Sequence, residues 1–284
     1  MLPNAESYHE ALADPQVIAG LKDDAFGWNS THPWFAFLIE RQKPGIIVEV
    51  GSWLGGSAVH MANLCKRQGL ETEIYCCDTW LGSAEHWLND KWVKSLGFKL
   101  GYPTVYQSFL KNVARAGVGD MIRPLPLDSV SAAEFLAKSG LLADIIYIDA
   151  GHSYDSCFVD LTLYSALLSP RGVILGDDYS WVGVETAVAQ YVHESNSLHL
   201  YVREGKYVLS REAIAGIEAY RVEIAPTVPL AIARSLTALE PLVDPRKKLL
   251  SLSLRKFLSL KMRGHWERFV TAQFTGLRGR GPDN

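Results

Sequence analysis

Acidic residues stand just after three predicted strands, where the carboxyl ends of parallel strands meet at one edge of a sheet. They are Asp78, Asp149, Asp177 and Asp178, and Glu49 stands near the end of a further strand. Open α/β folds bind their ligands at this edge. If the strands before Asp149 and Asp177 are neighbours, Asp149, Asp177 and Asp178 converge as three hard oxygen ligands, which suits Mg²⁺ or Mn²⁺. The alternative is that Asp178 only caps the following helix.

A glycine turn follows the first of these strands, in the stretch IIVEVGSWLGGSAVHMANL. Gly51 ends the strand, and Gly55 and Gly56 let the backbone turn and approach a ligand closely. Ser57 is placed to cap the helix that follows. The spacing G-x-x-x-G-G differs from the dinucleotide fingerprint G-x-G-x-x-G. The stretch therefore predicts a cradle for a small molecule.

Two acids near this turn indicate what the molecule would be. Asp78 lies 27 residues after Gly51, one strand, helix and strand later. That position suits a carboxylate that accepts hydrogen bonds from the two ribose hydroxyls of a nucleoside. Glu49 would repel a pyrophosphate but would favour the ammonium or sulfonium of S-adenosylmethionine. A purely structural role for either acid is the alternative.

A histidine lies in the turn after Asp149, within the run IDAGHSYD. Near its reference pKa of roughly 6.5, imidazole can accept a proton at neutral pH. A metal bound to an acceptor oxygen would make the proton on that oxygen easier to lose. We therefore predict His152 as a catalytic base beside Asp149, and a histidine that only shapes the turn is the equal alternative.

Strands alternate with helices along most of the chain, which predicts a mainly parallel α/β sheet with an antiparallel hairpin at its end. The run 81–101 carries Trp87 and Trp92 and is too long for an ordinary connection, so it is a candidate for substrate contact. Together with Trp80 and Tyr179, these side chains could stack on a sugar or an aromatic ring. The predicted strands are 46–50, 73–77, 121–125, 143–148, 173–175, 198–202 and 206–209, and the predicted helices between them are 57–64, 105–116, 131–138, 154–168 and 182–192.

The chain divides into a helical lead over residues 1–40, a ligand-binding domain over 41–212 and a helical extension over 213–284. From residue 245 onward the extension carries ten basic residues against two acidic ones. Such a segment could make weak contact with an anionic membrane surface or bind an acidic polymer. An arm that packs on its own domain or on a partner subunit is the alternative, and a homo-oligomer is allowed.

Composition excludes several classes of protein. The net charge of −3 offers no general footprint for nucleic acid. The four cysteines lack metal-ligand spacing and predict reduced thiols in a cytoplasmic protein. The amino terminus has no leader pattern, and no apolar run approaches the length of a membrane span.

The chain resembles class I S-adenosylmethionine-dependent methyltransferases, and within them the branch of macrocin O-methyltransferases and cephalosporin hydroxylase-like enzymes. The matching runs are VEVGSWLGGSA, CDTWLGSAEHW, PLDSVSAAEFL, IYIDAGHSYD and GVILGDDY. The resemblance implies a Rossmann-like, doubly wound sheet of seven strands. It implies a metal held by Asp149, Asp177 and Asp178. It places cofactor contacts at Glu49, Gly51, Ser52, Gly55, Ser57, Asp78, Asp128, Ser129 and Asp149.

The resemblance also implies the reaction, which is metal-assisted methyl transfer to a hydroxyl of a sugar, glycan or glycosylated natural product. A catechol-like phenol is the alternative acceptor. In some of these enzymes an aspartate two positions after the first metal ligand is thought to be the base. That position is Gly151 here, and His152 is the nearest substitute. A nicotinamide-dependent oxidoreductase and a noncatalytic cofactor-binding module are the readings from other classes.

Overall fold

The structure is a computed structural model that describes residues 2–21, 30–195 and 197–224. Within these residues the helices are α1 (Ala5–Ala13), α2 (Pro15–Gly20), α3 (Pro33–Gln42), α4 (Gly56–Arg67), α5 (Ala84–Leu88), α6 (Val93–Leu96), α7 (Val105–Ala116), α8 (Ser129–Lys138), α9 (Tyr154–Ser165) and α10 (Val182–Ser195). The strands are β1 (Ile46–Val50), β2 (Glu73–Cys77), β3 (Phe98–Lys99), β4 (Tyr102–Pro103), β5 (Ile122–Leu125), β6 (Ala143–Ile148), β7 (Leu168–Gly176), β8 (His199–Arg203), β9 (Lys206–Ser210) and β10 (Arg221–Val222).

The main sheet has the order β10-β8-β9-β7-β6-β1-β2-β5. Strands β1, β2, β5, β6 and β7 pair in parallel, and β8, β9 and β10 join by antiparallel pairing. The predicted doubly wound α/β fold with a terminal hairpin is therefore confirmed, as is the neighbourhood of β6 and β7. Strand β10 makes an eighth strand that the sequence did not predict, because two residues are too few to show an alternating pattern.

Helices cover both faces of this sheet, which explains why the central strands are nearly continuous apolar runs. In β1, Ile47 packs in a core cluster that contains Trp34 of α3 and Met61 of α4. The next residue, Val48, packs in a second cluster that contains Leu161 of α9. Successive side chains of a strand point to opposite faces, so both neighbours are buried.

The chain between α9 and β7 differs from the prediction. Helix α9 ends at Ser165 instead of residue 168, and β7 begins at Leu168 instead of residue 173. Leu168 pairs with Ala143, and the register then shifts before Ile145 pairs with Val173. The proline and glycine of this irregular stretch resemble a helix stop in the sequence, but they belong to a bulged strand.

The connection between β2 and α7 has structure of its own. It holds the short helices α5 and α6 and the two-stranded hairpin of β3 and β4. The helical lead contains α1, α2 and α3, and the extension begins with a 3₁₀ turn at Glu218–Tyr220 before β10. The ten basic residues from position 245 onward lie outside the described residues. No helix of the described ranges is long and apolar enough to cross a membrane.

Candidate active site

A cavity of about 590 Å³ lies at the carboxyl ends of β1, β2, β6 and β7. Strand order changes direction between β1 and β6, which is where doubly wound folds bind ligands. Its volume is within the range of small-molecule sites, roughly 300–1,000 Å³. Ten predicted site residues line it: Gly51, Ser52, Ser57, Asp78, Asp128, Ser129, Asp149, His152, Asp177 and Asp178.

The glycines of the turn after β1 act in different ways. Gly51 has a φ of +86°, and a Cβ there would lie 2.0 Å from the carbonyl oxygen of Asp149. Glycine is therefore required for the turn to lie against the end of β6. Gly55 has a φ of +80°, and its Cβ would lie 2.8 Å from the ring of Phe109 on α7. Gly55 faces the core, and it is Gly56 that lines the cavity.

Asp78 holds this turn in place. Its Oδ2 accepts hydrogen bonds from the backbone N–H groups of Ser52 at 2.9 Å and Trp53 at 2.8 Å. Its Oδ1 accepts from the N–H of Trp80 at 2.7 Å. Burial raises the pKa of Asp78, and the three backbone hydrogen bonds act against that rise. The carboxylate thus joins the end of β2 to the turn and still forms part of the cavity wall.

Glu49 is fully buried and does not line the cavity. Its Oε1 accepts a hydrogen bond from the hydroxyl of Ser57 at 2.5 Å, so Ser57 serves Glu49 and does not cap α4. Its Oε2 has no hydrogen-bond partner among the described residues. Burial raises the pKa of Glu49 to about 7. Glu49 therefore supports the turn from behind, without contact to the cavity.

The wall next to β5 is formed by the start of α8. Asp128 caps this helix, because its Oδ1 accepts from the N–H of Ser131 at 3.0 Å and its Oδ2 from the Ser131 hydroxyl at 2.7 Å. These hydrogen bonds lower the pKa of Asp128. The carbonyl of Ser129 accepts from the hydroxyl of Tyr164 at 2.8 Å. Both predicted residues are thus fixed beside the cavity.

A buried lysine organises the opposite end of the cavity. Lys206 of β9 is fully buried and donates to Asp177 Oδ2 at 2.6 Å and to the hydroxyl oxygen of Tyr147 at 2.9 Å. The Tyr147 hydroxyl lies 2.8 Å from Asp149 Oδ2 and donates to it. The sequence analysis missed Lys206 and Tyr147. A lone lysine in the apolar strand KYVLS was the available signal, because buried lysines are nearly always paired.

Both carboxylate oxygens of Asp177 consequently have partners within the protein. Its Oδ2 pairs with Lys206, and its Oδ1 accepts from the backbone N–H of Asp178 at 2.9 Å. Asp149, His152 and Asp178 instead bring ligand atoms within 4.8 Å of one another. Asp178 reaches this position because the chain turns there, with a φ of 56°. The structure thus brings together two of the three predicted metal ligands and adds His152 in place of Asp177.

This cluster fits a divalent cation. It offers two carboxylates and one imidazole, and carboxylates suit Mg²⁺ and Mn²⁺ while imidazole suits later transition metals. Burial and the charges of Asp177 and Asp178 raise the pKa of Asp149 to about 7. A cation beside Asp149 would offset both causes.

His152 lies between two carboxylates. Its Nε2 is 2.9 Å from Asp178 Oδ2, and its Nδ1 is 3.1 Å from Glu85 Oε2. Burial alone would lower the pKa of His152, but the hydrogen bonds with Asp178 and Glu85 outweigh burial and raise it to about 10. The ring also stacks on Trp181, with centroids 5.0 Å apart. In this arrangement His152 is protonated at neutral pH. It can act as a base only after it loses that proton and its contact with Asp178.

Aromatic side chains close one side of the cavity. The rings of Trp53 and His86 stack with centroids 4.3 Å apart, and Trp92 lies 5.9 Å from His86. All three line the cavity. Of the aromatic residues predicted to stack on a ligand, Trp92 lines the cavity. Trp80 is buried against the core, and Trp87 is 48% exposed on the outer surface.

Residues 48–179 match the family model for a methyltransferase domain. None of the curated proteins matches the chain.

Several solved O-methyltransferases are similar in structure. The one from Bacillus cereus in complex with SAH is 14% identical, with 74% of this chain and 90% of that chain covered and a TM-score of 0.45. TomG from Streptomyces achromogenes, in complex with SAM, is 12% identical, with coverages of 73% and 87% and a TM-score of 0.46. NovP is 16% identical, with coverages of 63% and 77% and a TM-score of 0.48.

The matched segment runs from Val48, within β1, to Tyr179 and includes the glycine turn, Asp78 and the acidic cluster. Its doubly wound sheet and the cavity at the switch point are those expected of this family. Residues 48–179, just under half of the chain, therefore form a methyltransferase domain.

Proposed function

We propose that this chain is a class I S-adenosylmethionine-dependent methyltransferase that acts on a hydroxyl oxygen of a sugar, a glycan or a glycosylated natural product, with the assistance of a divalent cation. One observation carries the proposal. The cluster of Asp149, His152 and Asp178 lines the same cavity as the turn that Asp78 holds. A methyl donor at the turn and a cation-bound acceptor at the cluster would therefore be neighbours.

The turn end of the cavity, formed by residues 51–57 with Asp78, is assigned to the cofactor. The carboxylate of Asp78 keeps one acceptor position, on Oδ1, for a ribose hydroxyl, and its three backbone hydrogen bonds fix its direction. The capped start of α8 at Asp128 and Ser129 is placed to border the base of the nucleoside. Because these groups are oriented before the cofactor arrives, little ordering remains to be done on binding.

The acid end, formed by Asp149, His152, Asp177 and Asp178, is assigned to the acceptor. Asp149 and Asp178 would hold the cation, which lowers the pKa of a hydroxyl bound to it. His152, once released from Asp178 and after passing its own proton to solvent, takes the hydroxyl proton at Nε2 and keeps its contact with Glu85. The acceptor oxygen forms a bond to the methyl carbon as the carbon–sulfur bond breaks, and S-adenosylhomocysteine leaves. Positioning of the two reactants supplies much of the acceleration.

The aromatic wall supports a ring-shaped acceptor. Outside the turn end, His86 and Trp92 line the cavity, with ring centroids 5.9 Å apart. Aromatic rings pack against the apolar face of a sugar. They also stack on an aromatic ring, which keeps a catechol-like phenol as the second candidate, since it too offers two adjacent oxygens to a cation.

The acceptor class is tested by measuring S-adenosylhomocysteine formation with a panel of sugar diols, catechols, amines and carboxylates. We expect transfer to hydroxyl acceptors that Mn²⁺ or Mg²⁺ supports and a chelator abolishes. The variant Asp178→Asn should lose about 100-fold or more in rate, the scale of disturbing a metal site. Its affinity for S-adenosylhomocysteine should stay unchanged. Transfer to amines alone, or full activity in the chelator, would refute the proposal.

A further inference from the structure

The connection between β2 and α7 exposes a group of large apolar side chains. We call this group the apolar tip; it consists of Trp87, Leu88, Phe98, Leu100 and Tyr102. Leu100 is 94% exposed, Leu88 81% and Tyr102 71%. The rings of Trp87 and Phe98 contact each other with centroids 5.3 Å apart. Single exposed apolar residues are ordinary, but a cluster of five on one short segment indicates an interaction surface.

Three lysines lie on the same segment as the apolar tip, and we call them the basic rim: Lys91, Lys94 and Lys99. All three are exposed. Of the acids on α5, α6 and their connection, Glu85 turns toward the cavity and bonds to His152, which leaves Asp90 on the outer side. The outer surface of this segment is therefore both apolar and positively charged.

We propose that the apolar tip and the basic rim dock on an anionic lipid surface. Aromatic and leucine side chains enter the boundary between headgroups and acyl chains, while lysines keep their ammonium groups at the level of the phosphates. Residues 98–103 form a narrow two-stranded hairpin with Leu100 at its turn, a shape suited to insertion. A second copy of this chain is disfavoured as the occupant, because the basic rims of two copies would face each other.

Docking would bring the cavity to the lipid surface. The same segment supplies Ser83, Glu85, His86, Lys91 and Trp92 to the cavity wall. An acceptor hydroxyl carried on the headgroup of an amphiphile could then reach the acid end. This last consequence rests on the proposed function, whereas the docking surface does not.

A fluorescent probe on the tip of the full-length chain tests the proposal. The variant Leu100→Cys is labelled with an environment-sensitive dye. Labelling is selective because the four native cysteines are buried. The control is Leu142→Cys, which is 51% exposed and precedes β6 at the amino end of that strand, away from the cavity. Vesicles contain either neutral lipid or a mixture with anionic lipid, and some carry a quencher in the headgroup region.

We expect the probe at position 100 to shift to the blue and to be quenched on anionic vesicles, while the probe at position 142 does neither. Replacing Lys91, Lys94 or Lys99 by Gln should weaken vesicle binding by about fivefold each, which corresponds to about 1 kcal/mol per lysine near such a surface. Equal responses of the two probes, or no response of either, would overturn the proposal. So would a change at position 100 that depends on protein concentration without vesicles, since it would show a second copy at the tip. S-adenosylhomocysteine binding to the same labelled protein shows separately whether the cofactor site holds.

Discussion

The two ends of the cavity stabilise buried negative charge in different ways. At the turn end, Asp78 is satisfied by three backbone N–H groups, and no side-chain cation is needed. At the acid end, Asp149, Asp177 and Asp178 approach one another, and Lys206 and His152 offset part of their charge. A carboxylate held by backbone amides needs no counter-ion. A group of carboxylates with an excess of negative charge would be completed by a cation.

The two ends also differ in how far apart their parts lie in the sequence. Asp78 and the residues it bonds fall within 28 positions of one another. Lys206 lies 29 positions after Asp177, and Glu85 lies 67 positions before His152. The turn end is therefore a local structure, whereas the acid end is assembled from four separate segments.

Removing the conformational freedom of Gly51 should have the largest effect of the changes considered. The variant Gly51→Ala places a methyl group against the backbone of Asp149 at a φ of +86°. We expect a loss of roughly 5 kcal/mol in the free energy of unfolding, from left-handed strain and overpacking together. Urea denaturation measures it.

The matched control is Gly140→Ala, where φ is +69° and a Cβ meets nothing within 4 Å. That variant should lose only about 1 kcal/mol, the conformational cost alone. Equal losses for the two variants would show that contact between the turn and β6 is unimportant.

Removing the buried ammonium group of Lys206 should reduce the free energy of unfolding by slightly less. The variant Lys206→Met leaves Asp177 buried without its counter-ion, and we expect a loss of about 4 kcal/mol in the free energy of unfolding. The double variant with Asp177→Asn removes both charges and should recover most of that loss. Denaturation at neutral pH compares them, and additive losses would contradict a direct ion pair.

A pH dependence distinguishes the buried acid behind the turn. Burial raises the pKa of Glu49 from 4.5 to about 7, so the native state binds this proton more tightly than the unfolded chain does. The contribution is fully present below pH 4.5 and is lost as pH rises to about 7. The wild type should therefore lose about 3 kcal/mol relative to Glu49→Gln across this window.

Unfolding by urea at pH 4.5, 6 and 8 measures the difference between the wild type and Glu49→Gln. A difference that stays constant with pH would show that Glu49 titrates alike in both states. The variant Glu10→Gln changes an exposed glutamate of α1 and is the control for the loss of an acid as such.

Much of the turn end could be predicted from the sequence, because its determinants are local. An apolar strand followed by glycines and a later acid, Asp78, indicates the fold unit and the cavity edge without knowledge of distant contacts. The sequence alone could not show whether Gly55 faces the ligand or the core. Its neighbour Phe109 lies on α7, 54 positions later, and only the packing of α7 on α4 shows that Gly55 faces the core.

The acid end could be predicted only in outline. Parallel pairing of β6 and β7 was enough to bring Asp149 and Asp178 together. The state of Asp177 depends on β9, which pairs antiparallel with β7 and places Lys206 beneath it. The register of a hairpin strand against its neighbour is not contained in the local pattern of either strand, so this ion pair was missed. Glu85 on α5, which hydrogen-bonds to His152, was missed because no local pattern shows that α5 lies beside the turn after β6.

Titration of S-adenosylhomocysteine into the wild type, Asp78→Asn and Asp144→Asn tests the central claim most directly. Asp144 is the matched control, because its Oδ2 accepts from the N–H groups of Gly45 and Ile46 at the opposite edge of the sheet. We expect the wild type and Asp144→Asn to bind alike and Asp78→Asn to bind at least about tenfold more weakly, as the loss of a charged hydrogen bond implies. NAD should not bind. Binding of NAD in place of S-adenosylhomocysteine, or equal affinity in all three proteins, would contradict the assignment of the turn end to the methyl donor.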